Sequence, residues 1–116
     1  MISITITPAH IGNGNNGLYR ASGHAGEGRE LICNAVSAIE ECLAANLLNT
    51  WNVRCERFAG KGSYELRWHK TDRHGKGLHR ANLAAGFAYN GLKALAETYP
   101  NDIKVTWNQQ FMERRD

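Results

Sequence analysis

Residues 2–7, ISITIT, place Ile2, Ile4 and Ile6 at every second position with Ser and Thr between them. Period two is the spacing of one face of a half-buried strand, so the segment predicts a strand that buries its isoleucines. Pro8 stops it, and IGNGNNG at 11–17 is turn chemistry in nearly every position, which makes LYRAS at 18–22 the hairpin partner of the first strand. From Leu31 to Leu48 the period changes: Ile32, Ala35, Val36, Ile39, Leu43 and Leu47 recur at threes and fours, with Glu40, Glu41 and Asn46 among the polar positions. That pattern predicts an amphipathic helix of about five turns. NVRCERF at 52–58 and SYELRWH at 63–69 flank Gly60, Lys61 and Gly62, and the alternation of Tyr64, Leu66 and Trp68 predicts a second hairpin. Leu78, Ala81, Ala85, Tyr89, Leu92, Ala96 and Tyr99 mark a second helix over 78–99, ended by Pro100. Ala81, Ala84, Ala88 and Gly91 give it a small-residue face suited to close packing. DIKVTW at 102–107 alternates as a closing strand, and the chain from about 109 is a polar tail.

The order β-β-α-β-β-α-β predicts an α+β, two-layer domain spanning 1–116, with two helices covering one face of a mixed or mostly antiparallel sheet. The pattern does not specify strand order. The edge strands such a sheet leaves open are a route to dimerisation.

Composition narrows the classes. A chain of 116 residues with 42% apolar content can bury the core of one domain. Its uninterrupted apolar runs fall short of the roughly 18 to 20 residues that cross a bilayer, and its first residues do not read as a secretion signal, so the expectation is a cytoplasmic protein with no membrane role. The three cysteines, Cys33, Cys42 and Cys55, are odd in number and form no CxxC pair, which fits thiols in a reducing compartment. The net charge of +3 is mild, but RWHKTDRHGKGLHR at 67–80 gathers five Lys or Arg and three His against one Asp. As a functional feature the patch fits a non-enzymatic ribosome- or RNA-associated module, and otherwise it is a solvated turn and helix start; no direct nucleic-acid binding is expected of it.

Candidate chemistry concentrates in ASGHAGEGRELICNAVS at 21–37. A free thiol has a pKa near 8.5 and needs a feature that favours the anion before it becomes a strong nucleophile. Cys33 has two on offer: the positive end of the helix dipole and, across the glycine loop, the imidazole of His24. Ser37, four residues on, shares the face of Cys33. Spacing alone leaves open the alternative that Cys33 is a small core residue, the reading preferred for Cys42 and Cys55. Gly23, Gly26 and Gly28 match neither a phosphate loop nor a dinucleotide fingerprint, and Glu27 would repel phosphate. His24, the three cysteines and the five-residue repeat His69, His74, His79 lack the paired spacing of zinc ligands, so neither a metal nor a cofactor is expected.

SGHAG, the glycine loop, an acidic residue three before the cysteine in ELICNAVSAI, and LKALAETYPNDIKV together resemble the ribosomal-processing cysteine protease family, Prp. Members of that family carry a GHA motif, a glycine loop, a D-I-V-C-A-A-V-S helix start and a Tyr-Pro before the last strand. The resemblance extends from Ile2 to about Trp107. It implies a cytosolic thiol endopeptidase that acts as a homodimer on a protein substrate, removing an N-terminal extension from a large-subunit ribosomal protein. Carried over by position, Cys33 is the nucleophile and His24 its base. Glu30 and Ser37 support the dyad or bind substrate together with the loop glycines Gly23, Gly26 and Gly28. Three features depart from the family pattern: the interval from His24 to Cys33 is shorter than usual, Glu30 stands for Asp, and Asn34 stands for a small residue. Because that loop is thought to order over the substrate, its shortening admits another target, a phage capsid or scaffold protein.

Overall fold

The computed structural model describes residues 1–10, 16–26 and 28–109. Residues 11–15 of the loop expected at 11–17, Glu27 within the glycine segment and the tail from 110 lie outside the described residues. The elements are β1 (Ile2–Thr7), β2 (Gly17–Ser22), α1 (Glu30–Leu48), β3 (Val53–Gly60), β4 (Ser63–Lys70), α2 (Lys76–Thr98) and β5 (Ile103–Trp107). The five strands form one sheet in the order β3-β4-β2-β1-β5. The β1–β2, β2–β4 and β3–β4 pairs are antiparallel and β1–β5 is parallel, so the sheet is mixed. The predicted order, strand count and class all hold. Both hairpins are present, and β4 lies between its hairpin partner β3 and β2, a placement that only the whole sheet defines.

Alternation sets the two faces. Ile2, Ile4, Ile6, Tyr19, Ala21, Leu66 and Trp68 are buried on the side covered by the helices. On the opposite side Thr5 pairs with Arg20 and Arg20 with Glu65. There Glu65 forms ion pairs with Arg20, at 3.1 Å, and with Arg67. This open face is charged and solvated, where such pairs contribute at most about 1 kcal/mol. Burial of the isoleucines, at about 1.5–3 kcal/mol per large aliphatic side chain, is the stronger term and fixes which way the strand faces.

α1 buries Ile32, Val36, Leu43, Ala44 and Leu47, the expected stripe, and also Glu40, which the pattern assigned to the polar side. By length and mean hydropathy, 1.4, α1 would also pass for a membrane-spanning helix, and here its apolar stripe is packed on the core. α2 begins where the Asp72 carboxylate accepts hydrogen bonds from the Gly75 and Lys76 amides, at 3.0 and 3.4 Å, satisfying helix-start donors. Its small residues do bring the helices close: Gly91 lies against Ile39 of α1. Asn82 reaches the end of β1 through two bonds to the Ala9 backbone and accepts the Trp68 indole N–H at 3.2 Å. One amide thus ties a helix to two strands.

Candidate active site

α1 starts after Arg29, so Cys33 stands at the end of its first turn, half-buried. The Ile32 and Cys33 amides both bond to the Arg29 carbonyl, at 3.1 and 3.3 Å. The Cys33 N–H is therefore engaged within the helix rather than free for an incoming oxygen. Arg29 supplies no side-chain cap, and its guanidinium instead lies 3.8 Å from Asp102, at the entry to β5. Ser37 follows Cys33 by one turn on the same face, as the spacing predicted.

His24 reaches the same place from the end of β2. Gly23 has φ +93, and a Cβ there would sit 2.2 Å from the Met1 carbonyl oxygen, so the strand leaves the sheet at a point only glycine can occupy. The Gly23 amide donates to the Gly62 carbonyl at 2.9 Å, and the Met1 amino group donates to the His24 carbonyl at 2.7 Å. The imidazole lies over Gly62, where φ is +73 and a Cβ would stand 2.9 Å from His24 Nε2. The β3–β4 turn is thus a seat for the histidine. Sequence reading took Gly60–Gly62 as turn punctuation; its contact with His24 arises from the β2–β4 pairing and has no local signature.

A cleft of about 230 Å³ is lined by Gly23, His24, Cys33 and Ser37, with Gly62 and Tyr64 across from them. Four of the expected site residues therefore meet. Glu30, Gly26 and Gly28 are exposed and do not line it. Glu30 occupies the first helical position, where a carboxylate complements the dipole but adds negative charge near the thiol.

Glu40 and Tyr64, which sequence reading missed, also line the cleft, and Tyr19 adjoins Glu40. Glu40 is 7% exposed and its Oε2 accepts the Tyr19 hydroxyl at 2.5 Å. Burial pushes the Glu40 carboxyl above its ordinary range, with Glu41 adding to the rise, against the opposing bond from Tyr19. Burial likewise drives Tyr19 up, with Glu40 adding to it. Tyr64 packs edge-on to Tyr19 at 6.1 Å, and its hydroxyl is buried with Arg57 close by but outside hydrogen-bond geometry. The available signal was an i, i+7 relation of Glu40 to Cys33, which places both on one face of a helix.

The remaining thiols lie elsewhere. Cys55 packs partly against the core, and burial raises its pKa. Cys42, expected to be inert packing, is exposed on α1 and lines a separate groove between the helices, because the helix stripe runs through Leu43 and Ala44 instead. Among the described residues no three His, Cys, Asp or Glu side chains gather as a metal site. The basic stretch at 67–80 is divided: Arg67 is on the open sheet face, its guanidinium 5.3 Å over the Phe58 ring, while Arg80 lines the groove between the helices.

A thiol and an imidazole line one cleft beside a mixed α+β sheet, the pair of groups that thiol hydrolases as a class employ. Residues 1–104 match the family model of the cysteine protease Prp, and the chain belongs to that family and is a cysteine protease. Among solved structures it is similar to the essential ribosomal processing protease Prp from Staphylococcus aureus. In complex with a covalently linked product peptide that protein shows 18% identity, a TM-score of 0.71 and coverage of 93% of this chain and 100% of that one. In complex with a substrate peptide the values are 16%, 0.70, 93% and 100%. SMU.848 from Streptococcus mutans shows 22% identity and a TM-score of 0.64, over 94% of this chain and 95% of its own. At these identities the likeness is one of fold. Comparison with curated protein sequences finds no match.

Proposed function

We propose that the chain is an endopeptidase in which Cys33 is the nucleophile and His24 its general base and acid. The observation that carries this reading is that both side chains line one cleft although they arrive from different elements. His24 takes the thiol proton as Cys33 Sγ attacks the peptide carbonyl, and returns it to the departing amine when the C–N bond breaks. Water, deprotonated by His24, then attacks the thioester, releases the acid product and restores the thiol. Ser37, at the edge of the cleft, is placed to contact the substrate, and Glu30 acts on the helix start from outside it.

The substrate we infer is a protein: an N-terminal extension of a large-subunit ribosomal protein, or a phage capsid or scaffold protein. That the similar Staphylococcus aureus protein is a ribosomal processing protease supports the first. We further infer a cytoplasmic homodimer. The exposed Leu83 and Phe87 beside the helix groove, 51% and 73% exposed, support self-association. Division of the basic stretch between two faces weighs against one nucleic-acid surface.

The test is alkylation followed by cleavage assay. Iodoacetamide is expected to modify Cys33 faster than the more exposed Cys42, and His24→Ala to abolish that advantage; equal rates at both thiols in the wild type contradict the dyad.

A further inference from the structure

Asp102 is one of two buried charged side chains among the described residues, and unlike the other, Glu40, it stands outside the cleft. It lies in the turn between α2 and β5, where its amide donates to the Tyr99 carbonyl at 3.0 Å. Its own carbonyl accepts the Ile2 amide at 2.7 Å, which ties it to the first residue of β1. The His24 side of the site rests on that same backbone: a Cβ on Gly23 would meet the Met1 carbonyl oxygen at 2.2 Å and the Ile2 Cα at 3.7 Å. The main chain of Asp102 therefore leads, through one hydrogen bond, to the point where His24 leaves the sheet.

Its side chain leads to the other half of the dyad. Asp102 Oδ2 lies 3.8 Å from Arg29 Nη1. Arg29 precedes the first residue of α1, and its carbonyl accepts the Ile32 and Cys33 amides. The turn that carries Cys33 is thus built on the residue that Asp102 holds, at a helix start with no side-chain cap. The segment joining His24 to Cys33 packs on the pair: the Arg29 amide donates to the Gly26 carbonyl at 3.1 Å, and a Cβ on Gly26 would lie 3.9 Å from Arg29 Cγ and 4.0 Å from Asp102 Oδ1. The two partners differ in freedom. The Arg29 side chain is 52% exposed, whereas that of Asp102 is 12% exposed on a backbone bonded through both its amide and its carbonyl. An ion pair wholly in water would fix little, but a carboxylate held largely out of water is costly without its cation, so Asp102 dictates where Arg29 stays.

We propose that Asp102 is a positioning residue for the dyad: by fixing Arg29 it sets the first turn of α1, and with it Cys33, against His24. It touches neither the substrate nor the reacting atoms. This inference rests on the reading of Cys33 and His24 as nucleophile and base. Charge and position make opposite predictions for the pair. Acting on the thiol by their fields alone, loss of the Arg29 cation disfavours the thiolate and loss of the Asp102 anion favours it. Acting as a tether, either loss slows the enzyme, and the second adds nothing to the first.

The test compares Asp102→Asn, Arg29→Gln, the double variant and Arg29→Lys with wild type. Two readouts are used: steady-state cleavage of a fluorogenic peptide selected by the wild type from a mixed library, and the rate of iodoacetamide modification of Cys33 with Cys42 as internal standard. Each of the two charge-removing single variants is expected to lower kcat on the order of 10-fold with KM within about twofold, and to slow Cys33 alkylation by a similar factor. The double variant is expected to match the slower single variant, and Arg29→Lys, which keeps the charge, to retain most of the wild-type rate. If Asp102→Asn fails to fold, the exposed Arg29 variants decide the matter through the kcat and alkylation losses of Arg29→Gln and their rescue in Arg29→Lys. Unchanged kcat and alkylation in Arg29→Gln, faster alkylation in Asp102→Asn, or losses that multiply in the double variant overturn the tether and leave the peptidase standing. Slower Cys33 alkylation in both charge-removing variants, with no library peptide cleaved by the wild type, upholds the tether and overturns the peptidase.

Discussion

The groove between α1 and α2 encloses about 380 Å³ and is walled by Ile39, Leu43, Leu83 and Phe87, whereas the cleft beside Cys33 encloses about 230 Å³ and gathers an imidazole, a thiol, a carboxyl and two phenols within or against it. Both hollows open on α1, and each exposes a cysteine to view. The two hollows thus differ in the groups that line them more than in having a thiol to offer. The groove is made by two helices alone, whose facing sides are apolar because each needs a core-directed stripe. The cleft is made where a helix start, a strand end and a hairpin turn converge, and each brings polar groups that regular pairing leaves over.

The sharpest break between the two regions is expected from the thiols. Cys33→Ala should lower peptide cleavage by at least about 10³-fold with unchanged melting temperature, while Cys42→Ala should leave both as they were. Loss of activity in Cys42→Ala would erase the distinction drawn between the two hollows.

Next in size is the glycine pair. At Gly62 an alanine must adopt φ +73, a conformation that costs about 1–2 kcal/mol, and its Cβ pushes on the His24 ring. Gly62→Ala is expected to reduce kcat on the order of 10- to 10²-fold, as misplaced catalytic groups do, with a smaller effect on KM. At Gly91, inside α2, the added Cβ meets the flexible tip of Ile39 at 3.3 Å. Gly91→Ala is expected to raise stability by up to about 1 kcal/mol and leave kcat unchanged, read by steady-state kinetics and denaturant unfolding.

Tyr19→Phe removes the bond to Glu40 and leaves a buried acid without its partner, for an expected loss of about 1–3 kcal/mol in urea unfolding. Phe87→Ala, at the exposed groove, is expected to change monomer stability by less than about 0.5 kcal/mol and to show its effect only in sedimentation, as weaker self-association.

The smallest effect is a slope. The Glu40 carboxyl ionises above its ordinary value near 4.5 in the folded chain, so above that pH the fold keeps a proton that the unfolded chain has released. The resulting stability is fully present below about 4.5 and is lost as pH rises through the folded value. Glu40→Gln is expected to flatten the fall of melting temperature with pH above 4.5, whereas Glu41→Gln, on the exposed side, should keep it.

Hydrophobic period alone determined the elements: ISITIT could bury its isoleucines only as a strand, and the threes and fours of 31–48 only as a helix. The family motif singled out His24 and Cys33 as a candidate dyad, and both line one cleft; the i, i+4 step from Cys33 to Ser37 was legible as a shared face. The strand order was not, because β1 pairs with both β2 and β5, and the choice depends on contacts across the whole chain. Nor was Glu40, since a carboxylate on an amphipathic helix reads as solvated until Tyr19, from a strand twenty-one residues earlier, supplies the hydrogen bond that lets it be buried. Gly62 looked like any hairpin glycine, and only the β2–β4 pairing put His24 above it. Local sequence fixes local conformation because its energies act between near neighbours; the cleft beside Cys33 depends on groups that meet only after the sheet has closed, and there the tertiary structure alone decided.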